Sequence, residues 1–200
     1  QAGAMQWMLG NVNATTGIKG AGDLISKAFR GKASGESIVK PEYTGDGLLM
    51  LEPTYKHLIL IDLKDWNQSI VLDDGLFLAC SSELKQKTVA RSNLSSAVAG
   101  GEGLFNLGLE GDGIVCLEAD CPKEELIEIN LENDVLKVDG NFAIAWSGSL
   151  SFTVERSGKT LIGSAASGEG LVNVYRGTGK VLLAPVGNGN IMRNGFPGMQ

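Results

Sequence analysis

Histidine is nearly missing from this 200-residue chain: His57 stands alone. One histidine excludes a two-histidine, one-carboxylate iron site within a single subunit. A nucleophilic triad would have to use His57 as its base. It lies in Pro53-Thr54-Tyr55-Lys56-His57, a turn entering a strand, where a surface or capping role is expected. Cysteine is scarce too. Cys80, Cys116 and Cys121 are an odd number with no CxxC pair, so no secreted disulfide framework forms from them. Three reduced thiols in a cytoplasmic protein are expected instead. No apolar run approaches the roughly 20 residues that a spanning helix needs. The opening Gln1-Ala2-Gly3-Ala4-Met5 has neither the basic n-region nor the apolar core of a signal peptide. Excess basic charge is absent: the net charge is −6. That argues against a sequence-independent grip on nucleic acid and against electrostatic docking on anionic lipid. Helical periodicity is confined to one stretch, 23–29, with apolar Leu24, Ile25, Ala28 and Phe29, a capping Asp23 and a stop at Gly31.

Glycine, by contrast, is abundant at 28 residues, and it is ordered. Gly35-Glu36-Ser37-Ile38-Val39 is followed by Gly45-Asp46-Gly47. Gly101-Glu102-Gly103-Leu104-Phe105 is followed by Gly111-Asp112-Gly113, and Gly168-Glu169-Gly170-Leu171-Val172 by Gly177-Thr178-Gly179. The first glycines stand 66 and then 67 residues apart. A fixed period marks one structural unit used repeatedly. The repeat extends outward. Leu58 to Leu63 is echoed by Leu126 to Leu131, Gly75 by Gly140, and Thr88-Val89-Ala90-Arg91-Ser92 by Thr153-Val154-Glu155-Arg156-Ser157.

These segments read as strands, being short, rich in β-branched and aromatic residues and bounded by Gly, Asp and Asn. Asp74-Gly75 and Asp139-Gly140, each between apolar runs, carry a short-hairpin signal. Leu48-Leu49-Met50-Leu51 and Ile114-Val115-Cys116-Leu117 are apolar at every position, which predicts strands buried on both faces. The expected architecture is one all-β domain over 1–186, a β-sandwich or β-prism of three repeats at about 1–53, 54–119 and 120–186. A flexible tail over 187–200 is expected to follow. The strands that open the second and third repeats have no counterpart in the first. By analogy, roughly 20–30 residues would precede Gln1.

Candidate chemistry is thin. Glu36, Glu102 and Glu169 are the polar residues common to all three signatures. A threefold arrangement could gather them into a ring for Ca²⁺ or Mg²⁺. Alternatively, each carboxylate accepts backbone N–H groups and fixes its own turn. Arg91 and Arg156 are candidate partners for these acids. Gly17-Ile18-Lys19-Gly20-Ala21-Gly22 lacks the Gly-Lys-Ser/Thr ending of a P-loop. Trp7, Trp66 and Trp146 are scattered rather than arrayed, and Trp146 reads as core. Each signature is preceded by a small-residue apolar loop bearing Leu24, Ile25 and Phe29, then Leu94 and Val98, then Leu161 and Ile162. Those residues either plug the sheet ends or form a docking surface.

The signatures resemble one known family. Ala2-Gly3-Ala4-Met5, Gly35-Glu36-Ser37, Gly101-Glu102-Gly103-Leu104-Phe105 and Gly168-Glu169-Gly170-Leu171-Val172, in this order and spacing, are similar to the altered-inheritance-of-mitochondria protein twenty-four family. The resemblance covers roughly 1–186. It implies an all-β fold related to double-stranded β-helices and grouped with the tryptophan RNA-binding attenuation protein. It also implies relatives in bacteria and in mitochondria. It carries over no catalytic residue, and the family's usual N-terminal strands are absent from this chain. The attenuation protein's RNA binding does not transfer with the fold.

The reading is therefore a non-catalytic binding or scaffold protein, with no cofactor and no nucleic-acid partner. Its expected partner is another protein or a membrane surface, through the apolar loops, and a homo-oligomer is expected where sheet edges need covering. The alternative is a small-molecule or metal-binding module, an enzyme included. RNA binding is disfavoured by the charge.

Overall fold

The computed structural model describes residues 3–16, 40–52, 55–90, 105–156 and 171–185. Twelve strands make up nearly all of it: β1 Met5–Thr15, β2 Glu42–Leu51, β3 His57–Asp62, β4 Ser69–Leu72, β5 Phe77–Cys80, β6 Lys85–Ala90, β7 Phe105–Glu110, β8 Ile114–Ala119, β9 Ile127–Asp139, β10 Ala143–Ser147, β11 Ser151–Arg156 and β12 Leu171–Leu183. Two single-turn 3₁₀ segments interrupt them, and no α-helix occurs among the described residues. The expected all-β class is what the chain adopts. The stretch 23–29 and the tail 187–200 lie outside the described residues.

The strands form three antiparallel sheets. One is the two-stranded ribbon β1–β2, and another is β3–β8–β5. The third has seven strands in the order β11–β12–β10–β4–β7–β6, with β9 on the other edge of β12. Two apolar clusters hold the larger sheets. Ile59, Ile61, Leu63, Leu72, Val115 and Leu117 belong to the first, joined by Ile144, Ala145 and Leu182. The second gathers Leu131, Val138, Trp146, Tyr175 and Val181, together with Val71. Strand β4 sits between them: Ile70 and Leu72 point into the first and Val71 into the second. Two-sided burial accounts for its unbroken apolar sequence. The Trp146, Phe152 and Tyr175 rings meet at centroid distances of 5.2–5.3 Å.

Register recurs along the chain. A bulge falls between Phe77 and Ala79 opposite Leu117 and Cys116. Another falls between Ala143 and Ala145 opposite Leu183 and Leu182, and a third between Met5 and Trp7 opposite Leu51 and Met50. Each bulge is accompanied by one backbone hydrogen bond: Glu52 N to Ala4 O, Glu118 N to Leu76 O at 2.7 Å, and Ala184 N to Phe142 O at 2.8 Å. Gly45, Gly111 and Gly177 have φ of +124°, +122° and +122°, a conformation that glycine adopts without a Cβ penalty.

Two local expectations are corrected. The Asp74-Gly75 and Asp139-Gly140 turns do not close hairpins. Strand β4 pairs with β7 and β10, while β5 pairs with β8. Likewise β9 pairs with β12, not with β10. These turns are corners that pass the chain from one edge of a sheet to another strand pair, so local turn chemistry was right and the pairing was not. The apolar run 48–51 is not buried on both faces either: Leu48 is 60% and Met50 43% exposed. In the matching run Val115 and Leu117 are buried, but Ile114 is exposed and Cys116 half-buried.

Candidate functional site

Glu36, Glu102 and Glu169, the sequence candidates for a cation ring, lie outside the described residues. So do the loop residues Leu24, Ile25, Phe29, Leu94, Val98, Leu161 and Ile162, together with Arg91 and Gly17–Gly22. Among the described residues no group of three or more His, Cys, Asp or Glu side chains could hold a metal. His57 opens β3 as an exposed residue, as its sequence context predicts. Cys80, Cys116 and Cys121 are free thiols, and burial pushes each above its ordinary value. The neutral thiol is the less nucleophilic form, so burial disfavours the reactive thiolate at each of the three.

What the described residues do present is an apolar face on the β1–β2 ribbon. Antiparallel register sets Trp7 opposite Met50 and Leu9 opposite Leu48. Residues two apart on a strand share a face, so these four side chains form one cross-strand quartet. They are 43%, 43%, 63% and 60% exposed. The ribbon holds its shape through close backbone approach: a Cβ at Gly47 would run into the Leu9 carbonyl oxygen. The opposite face, with Leu49 and Leu51, looks onto Phe77, Leu78 and Ala79 of β5 across a groove of about 620 Å³. Lys40 Nζ lies over the Phe77 ring, 3.8 Å from its centroid. A cation over an aromatic face is attracted by the ring quadrupole.

A second groove, about 570 Å³, runs between β3 and the β9–β12 pair. Leu60, Ile114, Leu126 and Leu182 give it an apolar floor, and Asp65 and Lys123 stand in its wall. Lys180 Nζ is 2.9 Å from Glu128 Oε1 and 5.9 Å from the Trp66 ring centroid. Trp66 is placed by a 3₁₀ turn whose start is capped by Asp62, which accepts from Lys64 N at 3.0 Å. A further polar group is enclosed. Glu118 is 4% exposed, and its Oε1 is buried without a hydrogen-bond partner.

Sequence reasoning missed the ribbon face. The signal was the alternation Trp7, Leu9 and Leu48, Met50, but the unbroken run 48–51 pointed to two-sided burial. It also missed both grooves, which are made by residues far apart in sequence.

Comparison with known proteins follows this geometry. None of the curated proteins compared matches the chain. A crystal structure of a Streptococcus pyogenes protein superposes with a TM-score of 0.68 at 26% identity, covering 94% of this chain and 83% of that one. The family model for mitochondrial biogenesis AIM24 matches residues 1–186, the whole span of the repeated signatures. The chain therefore belongs to the mitochondrial biogenesis AIM24 family.

Proposed function

We propose that this protein is a non-catalytic binding or scaffold protein built from three related units, about 1–53, 54–119 and 120–186. The recurring bulge, its hydrogen bond and the three left-handed glycines support the unit reading; the relation to double-stranded β-helices rests on the family resemblance. What recurs is turn and core geometry rather than reactive groups. The observation that carries the binding reading is the exposed quartet Trp7, Leu9, Leu48 and Met50. Monomeric proteins seldom leave contiguous apolar faces uncovered without a use for them. Leu24, Ile25 and Phe29, Leu94 and Val98, and Leu161 and Ile162, which lie outside the described residues, are proposed as further partner contacts on their sequence pattern alone.

Crosslinking in the native cell, followed by gentle purification, tests this. The reading expects crosslinks from the ribbon face to another polypeptide, and their loss in a Leu9→Ser/Leu48→Ser variant that melts like the parent. Crosslinks that survive the double substitution, or none from this face, would contradict it.

The 570 Å³ groove favours a second reading, a small-molecule module, because its volume and mixed lining fit a small ligand. In that reading Glu36, Glu102 and Glu169 are the residues to examine for a bound cation. Native mass spectrometry of protein purified without chelator decides it: a mass excess supports the module, and a bare polypeptide mass opposes it.

A further inference from the structure

We propose that the groove between β3 and the β9–β12 pair binds a small zwitterion with an apolar body, the chemistry of a short hydrophobic peptide with free ends. This rests on the small-molecule reading above and names the class of ligand.

The groove joins two places that the fold makes equivalent and the sequence makes different. Cys116 pairs with Ala79 beside one bulge, and Leu182 pairs with Ala145 beside another. Across the ladder, Leu60 stands opposite Cys116 and Glu128 stands opposite Leu182. The Ser81 hydroxyl accepts from Ile114 N at 2.9 Å, and the Ser147 hydroxyl accepts from Lys180 N at 2.9 Å. Leu60 and Ile114 therefore hold the register positions that Glu128 and Lys180 hold further along the chain. All four line the one groove. Leu60 and Ile114 remain 62% and 40% exposed there. Glu128 and Lys180 are ion-paired, yet their side chains are still 41% and 28% exposed. One side of the groove thus offers uncovered apolar surface, and the other offers both signs of charge.

The remaining charges narrow the ligand further. Asp65 and Lys123 also line the groove, and neither side chain is paired among the described residues. Asp62 is already engaged as the cap of the 3₁₀ turn. A simple anion would meet the carboxylates of Asp62, Asp65 and Glu128, and a simple cation would meet the ammonium groups of Lys123 and Lys180. A wholly apolar ligand would strip water from these charges and return nothing. A zwitterion answers both signs. Its ammonium would donate to Asp65 and its carboxylate would accept from Lys123, the two charges with no partner to give up, as charge-assisted hydrogen bonds. Its apolar body would cover Leu60 and Ile114. The volume of about 570 Å³ suits such a ligand, because small-molecule sites pair an apolar lining with a few placed polar groups.

The test titrates the dipeptide leucyl-leucine into the intact chain by calorimetry, beside two blocked forms. The N-acetyl form lacks the ammonium, and the C-terminal amide lacks the carboxylate. The proposal expects saturable binding of the free dipeptide and about tenfold weaker binding of each blocked form, since each loses a charge-assisted hydrogen bond. Lys123→Gln and Asp65→Asn change exposed positions, so both variants should melt like the parent. Lys123→Gln should weaken the free dipeptide and leave the amide unchanged. Asp65→Asn should weaken the free dipeptide and leave the N-acetyl form unchanged. No saturable binding, equal binding of free and blocked forms, or a free dipeptide that either substitution leaves unaffected would overturn the proposal. If nothing binds while the native mass carries an excess, this inference falls and the small-molecule reading stands; if nothing binds and the mass is bare, both fall.

Discussion

Glu155 of β11 and Arg176 of β12 form the best-defined ion pair of the described surface. Arg176 Nη1 lies 2.7 Å from Glu155 Oε1, and its Nη2 donates to Oε2 at 2.9 Å. Thr153 Oγ1 donates to Glu155 as well, at 2.8 Å. The Arg176 hydrogen bonds first, and Thr153 second, pull the Glu155 carboxyl down to about 2. A depressed carboxylate stabilises the fold above its unfolded value and loses that contribution as pH falls through the folded one. The melting-temperature gap between the protein and a Glu155→Gln variant should therefore be full above about pH 4.5 and close by about pH 2. Both side chains are more than a third exposed, so the gap is small and shrinks in high salt. A gap that widens in acid would contradict this. Gly111 makes a sharper prediction. A Cβ there would find Glu83 O at 3.4 Å and Leu84 Cδ2 at 3.5 Å, ordinary contacts, so space is not the obstacle. The obstacle is the φ of +122°, which L side chains rarely adopt, so Gly111→Ala should cost about 1–3 kcal/mol in denaturant unfolding.

At the level of elements, β10 and β2 are opposites. All five residues of β10 are buried, and Trp146 stacks on Phe152 at 29°. Trp146→Ala should cost about 3–5 kcal/mol of unfolding free energy. Leu48→Ala on the exposed ribbon should stay within about 0.5 kcal/mol. Equal losses at the two sites, measured by denaturant titration, would mean that the ribbon is buried in solution. The contrast also shows what sequence could convey. Trp146 was legible as core because its strand is apolar and β-prone. The positions of most strands were legible for the same reason. Pairing was not: Asp74-Gly75 and Asp139-Gly140 have hairpin chemistry, yet the strands they join bond to other partners. Turn residues fix the local bend, whereas pairing follows from which sheet edge is open when the chain arrives. The run Leu48–Leu51 misled because an apolar sequence states what a strand is able to bury, not what is there to cover it.

For the whole molecule, the period of about 66 residues was the strongest sequence signal, and it reappears as register. The same offset carries the β5–β8 pairing onto β10–β12, bulge included. The grooves were not legible, since each is assembled from strands distant along the chain. On the three-unit proposal, two units are flanked on both edges, and among the described residues β2 of the first pairs with β1 alone. Amide hydrogen exchange of the isolated protein tests that most directly. The account predicts that about half of the amides in 43–50, those facing the open edge, exchange at nearly unstructured rates. Amides of 115–118 and 172–175 stay protected to near the global unfolding limit. Protection of 43–50 equal to that of 115–118 would contradict the account, because it would mean that the edge of β2 is already filled.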